Sequence, residues 1–166
     1  MYPCYQKIPE KSTIVPELLA LAEKGEWLDY IYWKAIPVSD ELINKDPFLS
    51  KLRETRTFRA GILLTPPNSC YKWHVDTYRS VGVNLLIKHK DSHSVFTLDE
   101  ENINVPVHEL KYEEDTYYIY NTKVPHMVLN VDEPRYIMTL EFIGKDSNLE
   151  FDELREEIDA IYSAKG

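Results

Sequence analysis

Five histidines are the side chains around which a metal site or an acid–base site can form in this sequence of 166 residues. Histidine is the commonest transition-metal ligand and titrates near neutral pH. Two of the five begin a His-x-Asp tripeptide, at His74-Val75-Asp76 and at His89-Lys90-Asp91. About one His-x-acid tripeptide is expected by chance at this composition, so the tripeptide alone does not identify a site.

The surroundings of the two tripeptides differ. His74 and Asp76 stand in a stretch rich in strand-forming residues, and alternate residues of a strand point to the same face. Both side chains can therefore reach one metal ion while Val75 points outward. His89 stands in the charged stretch 88–93, which is typical of a solvated hairpin turn. We predict that His74 and Asp76 are the functional pair.

A third ligand must come from elsewhere in the chain, and His126 is the best candidate. It opens a short apolar segment directly after a run of aromatic residues. Two neutral imidazoles and one carboxylate leave three positions open on octahedral Fe(II), as non-haem iron oxygenases require, whereas Zn(II) usually takes four ligands. Taken singly, the three residues also fit structural roles: a core histidine for His74, a turn cap for Asp76 and a strand-start residue for His126.

Arg135 stands on the next predicted strand. Alternation puts it on one face with Ile137, Thr139 and Glu141, and leaves an entirely apolar opposite face. We expect the apolar face to pack against the terminal helices, which turns Arg135 toward the barrel interior. A buried guanidinium requires an anionic partner, and its planar fork suits a carboxylate. The alternative is a surface ion pair with Glu133.

Three regions of the chain must position these side chains. Residues 1–57 indicate a mixed helical and strand N-terminal cap, with helices starting near Pro16, Ser39 and Asp46 and a strand over residues 28–36. Residues 58–143 contain eight short runs of strand formers, which favour a barrel or a two-sheet jelly roll. The runs are 58–65, 71–77, 81–89, 94–98, 102–107, 116–120, 126–130 and 135–143. A capping-box pattern at residues 147–150 predicts a C-terminal helix over residues 147–163.

Length and composition narrow the class of protein. A chain of this length is expected to form a single domain. Its net charge of −9 argues against binding nucleic acid or an anionic membrane. With two cysteines, no secretory signal and no long apolar segment, we expect a soluble cytoplasmic protein without disulfides. The charge is uneven, because residues 51–90 sum to +6, which predicts a local positive field for a small dianion.

Together, His74-x-Asp76, His126 and Arg135 resemble the motif of the 2-oxoglutarate and Fe(II)-dependent oxygenases. The resemblance covers most of residues 58–143 and is closest to the proline hydroxylase and aspartyl/asparaginyl β-hydroxylase-like branch. The sequence separation of 52 residues between His74 and His126 is typical of compact members. The resemblance implies a mainly β fold with flanking helices, whose core is a double-stranded β-helix of the jelly-roll or cupin-like type.

The resemblance also implies roles for these residues. His74, Asp76 and His126 would hold Fe(II), and Arg135 would bind the far carboxylate of the co-substrate 2-oxoglutarate, with O2 as the oxidant. The implied activity is hydroxylation of an unactivated C–H bond, in an amino-acid-like small molecule or a peptide side chain. The sequence departs from the family at Ile137, where many members have a hydroxyl residue, so that Thr139 is the nearest hydroxyl on that face.

Three further residues are weaker candidates. Asn84 stands alone among apolar residues and is either an inward contact to 2-oxoglutarate or a hydrogen-bonded core asparagine. Arg79 and Lys72, near the first two ligands, either bind an acidic group of the substrate or are solvated.

Two other classes of protein remain open. One is a cupin-like metal enzyme that does not use 2-oxoglutarate, for instance an isomerase or a cysteine-type dioxygenase, although cupins usually carry more metal-binding histidines. The other is a catalytically silent β-barrel that only binds a partner.

Overall fold

A computed structural model describes residues 4–88, 92–99, 104 and 106–163. Two antiparallel sheets pack face to face, one of seven strands in the order β1, β9, β6, β11, β4, β3, β2 and one of four in the order β5, β10, β7, β8. The strands are β1 (Tyr5–Lys11), β2 (Leu28–Tyr30), β3 (Trp33–Val38), β4 (Phe58–Thr65), β5 (Ser69–His74), β6 (Val81–Lys88), β7 (Ser92–Thr97), β8 (Val107–Leu110), β9 (Thr116–Asn121), β10 (His126–Asn130) and β11 (Arg135–Phe142). The helices are α1 (Val15–Lys24), α2 (Asp40–Ile43), α3 (Pro47–Thr55) and α4 (Phe151–Ser163).

The predicted eight-strand core is divided evenly between the sheets. β4, β6, β9 and β11 lie in the large sheet, and β5, β7, β8 and β10 form the small one. The predicted mainly β jelly-roll fold is thereby confirmed. Of the strand predicted over residues 102–107, residues 102, 103 and 105 lie outside the described residues, and the described strand of this region begins at Val107.

The helices cover the outer face of the large sheet. α1 begins with a proline in its first turn and ends at Gly25, whose φ of 79° is left-handed, a conformation that glycine adopts without strain. Leu18 of α1 and Leu154 of α4 share the main core with Met138 and Leu140 of β11. The apolar face of β11 therefore packs against the helical layer, as its alternation predicts, and the opposite face of β11 lies between the sheets.

The N-terminal region differs from the prediction in two places. β1 pairs with β9 at the edge of the large sheet, although its mostly polar sequence does not indicate a strand. Pro9 fits there because the pairing register shifts between Lys7 and Lys11, and an edge strand or bulge tolerates the missing N–H of proline. The predicted continuous strand 28–36 is instead a hairpin of β2 and β3, because the chain turns at Ile31, whose φ is 53°.

The C-terminal helix begins four residues later than predicted. A short 3-10 turn over Gly144–Asp146 precedes it, and α4 starts at Phe151. The buried Asp146 carboxylate accepts hydrogen bonds from the Thr57 N–H at 2.7 Å and from Arg56 at 3.1 Å. These contacts hold the chain in the turn. The prediction that the helix begins at the capping-box pattern of residues 147–150 is therefore wrong, although the helix itself is present. Within the described part of the chain, no helix has the length and apolar composition to cross a membrane.

Candidate metal centre

The structure brings His74, Asp76 and His126 together between the two sheets. β5 and β10 are neighbours, and His74 lies directly opposite His126 in their register. Asp76 Oδ1 is 3.6 Å from His74 Nε2 and 3.9 Å from His126 Nε2. One potential ligand atom from each residue lies within 4.8 Å of the others, and the described residues contain no second cluster of this kind.

A bulge in β5 orients the first histidine. Two steps along β10, from His126 to Val128, match three steps along β5, from His74 to Tyr71. A bulge of one residue redirects side chains locally, and both Tyr71 and His74 line the cavity described below, with ring centroids 3.9 Å apart.

Asp76 lies just beyond the end of β5, which stops at His74 rather than continuing to residue 77 as predicted. Its backbone N–H donates to the carbonyl of Thr122 at 2.9 Å. Val75 between the two ligands is 47% exposed. It also lines the cavity, and a hydrogen bond to the loop before β10, rather than strand pairing, holds Asp76 in place.

Hydrogen bonds set the tautomer of both histidines. Nδ1 of His74 lies 2.6 Å from the carbonyl of Lys72, and Nδ1 of His126 lies 2.8 Å from that of Val124. A carbonyl only accepts, so each Nδ1 carries the proton and each Nε2 lone pair is available to a metal. Burial, with smaller contributions from the neighbouring His74 and Arg79, lowers the pKa of His126 to about 4. His126 is therefore neutral at physiological pH, the form that binds metals.

The cluster opens into a cavity of about 660 Å³. Arg135, Ile137, Thr139 and Glu141 all line this cavity, as their alternation along β11 predicts. Its mouth carries exposed apolar side chains from the β2–β3 hairpin and from the segment after Asp76, including Tyr32 at 82% and Tyr78 at 87% exposure. The cavity therefore joins a polar, enclosed end to an apolar opening.

Arg135 forms the enclosed end. It is 4% exposed, and no acidic side chain of the described chain, Glu133 included, lies within ion-pair distance. Its Nε is buried without a hydrogen-bond partner, as are the hydroxyls of Thr65 and Tyr112 in the same cavity wall. The Tyr112 ring is 5.6 Å from the guanidinium carbon. Unpaired buried polar groups are costly, and an anionic ligand at this end of the cavity could pair with them.

Thr65 and Tyr112 were not predicted as site residues. Thr65 lies directly opposite Arg135 in the pairing of β4 with β11, and Tyr112 follows β8. The alternation of β4 points Thr65 inward, but only the strand order shows which residue it faces.

The other predicted residues are distributed as follows. Asn84 lines the cavity and lies opposite Thr139 in the pairing of β6 with β11. Arg79 also lines the cavity, with its guanidinium bonded to Asp76 and Thr139. Lys72 is exposed on the outer side of β5 and lies outside the cavity, beside Cys70, Trp73 and Met127. Of the histidines that were not predicted as ligands, His93 pairs with Glu109, and His89 lies, with Asp91, outside the described residues.

No family model and no curated protein matches the chain. Solved structures are similar to it: a prolyl-4-hydroxylase of Pseudomonas putida, 15% identical, covers 85% of this chain and 92% of its own with a TM-score of 0.61. A Trichoplax adhaerens prolyl hydroxylase, bound to a peptide of hypoxia inducible factor, is 15% identical over 88% and 86% of the chains, with a TM-score of 0.64. The non-haem α-ketoglutarate-dependent epimerase SnoN of nogalamycin biosynthesis is 15% identical over 82% and 76%, with a TM-score of 0.61. This chain therefore has the double-stranded β-helix fold of these solved oxygenases.

Proposed function

We propose that this protein is an Fe(II)- and 2-oxoglutarate-dependent oxygenase that hydroxylates an unactivated C–H bond. The observation that carries the proposal is that one cavity contains both a His-Asp-His cluster and a buried, unpaired arginine. The first suits a transition metal and the second suits a carboxylate, and a 2-oxo acid is a ligand that engages both.

The donor set fits Fe(II). His74 and His126 each present a neutral Nε2, and Asp76 adds one negative charge. Two imidazoles and one carboxylate on one side of the ion leave the opposite side open for other ligands. The unpaired Nε of Arg135 and the unpaired hydroxyls of Thr65 and Tyr112 fit the far carboxylate of 2-oxoglutarate. A cupin-like enzyme that does not use 2-oxoglutarate leaves this anion pocket without a role, so we favour it less.

Held by His74, Asp76 and His126, Fe(II) would activate O2, the oxidant, with 2-oxoglutarate as a two-electron reductant, and would so supply the chemistry that breaks an unactivated C–H bond. The protein contributes binding, orientation and exclusion of water. Arg135, 4% exposed, fixes one end of the co-substrate by a charge-assisted pair. His126, also 4% exposed, holds its ring in place through its Nδ1–H bond to Val124. The apolar mouth, with Tyr32 and Tyr78, receives the organic substrate.

The substrate in this proposal is a small molecule or a peptide side chain. The Trichoplax adhaerens enzyme is bound to a peptide, and an open mouth of exposed tyrosines is compatible with a chain that passes across it. A screen of free amino acids and of cell-extract peptides for products heavier by one oxygen atom tests hydroxylation. Succinate formation without oxygen gain in any product would favour an outcome such as epimerisation instead.

The central experiment is anaerobic addition of Fe(II) and 2-oxoglutarate to the protein. We expect a visible metal-to-ligand charge-transfer band for the wild type, and its loss in Asp76→Ala and His126→Ala, because each variant removes a ligand. His93→Ala is the matched control: it removes a histidine that pairs with Glu109 outside the cluster and should keep the band. A wild-type protein without this band would overturn the proposed function. Unchanged succinate production in His126→Ala would remove His126 from the ligand set.

A further inference from the structure

Arg79 hydrogen-bonds to Asp76 on the side away from His74 and His126. Its Nε donates to Asp76 Oδ2 at 2.6 Å. Its Nη1 donates to the Thr139 hydroxyl at 3.0 Å and to the Leu140 carbonyl at 3.4 Å. The guanidinium therefore connects the Asp76 carboxylate to β11, the strand that also carries Arg135.

These contacts give the two oxygens of Asp76 different surroundings. Oδ2 is occupied by Arg79, while Oδ1 is the oxygen that faces the Nε2 atoms of His74 and His126, at 3.6 and 3.9 Å. A guanidinium is a planar, rigid donor, so rotation of the carboxylate would break a charge-assisted hydrogen bond. Asp76 also lies beyond the end of β5, so strand pairing does not fix its backbone.

The backbone around Arg79 supports the same arrangement. The fully buried Thr122 accepts from the Asp76 N–H at 2.9 Å, and its hydroxyl donates to the Arg79 carbonyl at 2.7 Å. Gly82 leaves the space that the guanidinium fills, since a Cβ there would lie 3.2 Å from Arg79 Nη1. One loop thus fixes both partners of the ion pair, and one glycine makes room for it.

We propose that Arg79 is a positioning residue that holds Asp76 with Oδ1 turned toward the two histidines, so that its role is in metal binding and not in binding an acidic substrate. The inference rests on the proposed function, because it assigns Asp76 to a metal. Partners that orient a ligand from behind typically change metal affinity about 10- to 100-fold when they are removed.

The test is a titration with Co(II), a spectroscopic probe for the Fe(II) site, followed by visible absorption. We expect Arg79→Ala to weaken Co(II) binding about 10-fold or more and to alter the absorption band. Arg59→Ala is the matched control, because Arg59 also lines the cavity but pairs with Glu141 at 2.8 Å. Its Co(II) affinity should equal that of the wild type. Far-UV circular dichroism and thermal unfolding are recorded for both variants.

A second variant covers the case in which Arg79→Ala does not fold. Gly82→Ala keeps the arginine and crowds its guanidinium, so a smaller loss of Co(II) affinity is expected. The inference is wrong if the folded Arg79→Ala protein binds Co(II) as the wild type does and only its thermal stability falls, because Arg79 would then only link Asp76 to β11 structurally. If Arg79→Ala does not fold, the same result for Gly82→Ala leads to the same conclusion. Co(II) binding by the wild type that is absent or unaffected by Asp76→Ala would instead overturn the proposed function.

Discussion

Arg135 combines burial with the lack of an acidic partner in the described chain, and both properties bear on stability. A buried charge without a counter-ion costs several kcal/mol. The Tyr112 ring, 5.6 Å from the guanidinium carbon, offsets part of that cost by a cation–π interaction. If an anion binds the pocket as proposed, its pairing with Arg135 would offset more of the cost and favour the liganded state.

Arg135→Met therefore has two expected effects of opposite sign. Affinity for 2-oxoglutarate should fall about 30-fold or more, because a charge-assisted pair is lost, while Co(II) affinity should stay unchanged. The ligand-free protein should become as stable as the wild type or more stable, since a buried unpaired charge is replaced by an apolar side chain. The first effect is measured by titrating the charge-transfer band and the second by denaturant unfolding. Equal losses of metal and 2-oxoglutarate binding would indicate a structural arginine.

At the scale of secondary-structure elements, side-chain contacts set where segments begin and end. The bulge in β5 places Tyr71 and His74 in the same cavity. At the other end of the molecule, Asp146 joins the 3-10 turn before α4 to the start of β4. Arg56, its partner at 3.1 Å, also binds Glu153 and Glu157 of α4. This charged cluster links α3, the turn and α4.

Asp146 should make stability depend on pH. Burial raises its pKa, but the hydrogen bonds from Thr57 and Arg56 outweigh burial and leave the pKa below its ordinary value. The folded state therefore favours the charged form, and this stabilisation is present at neutral pH and is lost as pH falls from about 4. Asp146→Asn should cost about 2 kcal/mol at pH 7, with a difference from wild type that shrinks on acidification.

Chemical denaturation at several pH values measures this difference. Asp132→Asn is the control, because Asp132 is an exposed carboxylate in the loop before β11 and should have little effect at any pH. A gap between wild type and Asp146→Asn that stays constant from pH 7 to pH 3 would contradict the assignment.

Across the whole molecule, the pattern of charge in space differs from the pattern along the chain. Residues 51–90 carry the basic excess, but three of their four arginines pair with acids from other segments: Arg53 with Asp40, Arg56 with Asp146, and Arg59 with Glu141. The local positive field predicted for a dianion is therefore largely neutralised at these arginines. Among the described residues that line the cavity, Arg135, from the acidic part of the sequence, is the positive charge without an acidic partner.

Metal binding should stabilise the entire fold, because the ligands come from β5, β10 and the segment after β5. At a free Co(II) concentration 100 times its Kd, stability should rise by about 2.7 kcal/mol, which corresponds to a Tm increase of about 5 to 10 °C. Removal of the metal with EDTA should reverse the increase. His126→Ala should show no shift in thermal unfolding, and a shift as large as that of the wild type would mean that Co(II) binds elsewhere.

The sequence by itself identified the residues that could bind a metal or an anion. Its periodicity also predicted which side chains of β11 point into the space between the sheets. The strand pattern of residues 58–143 and the inward face of β11 follow from local rules, because a strand alternates its side chains every two residues. The orientation of His74 and Asp76 depends instead on the bulge in β5 and on the hydrogen bond from Asp76 to Thr122. Tertiary structure alone decided which of these residues meet. The pairing of β5 with β10, the hydroxyls of Thr65 and Tyr112 beside Arg135, and the contact of Arg79 with Thr139 join residues far apart in the chain. Such contacts depend on strand order and register, which the packing of the whole core selects.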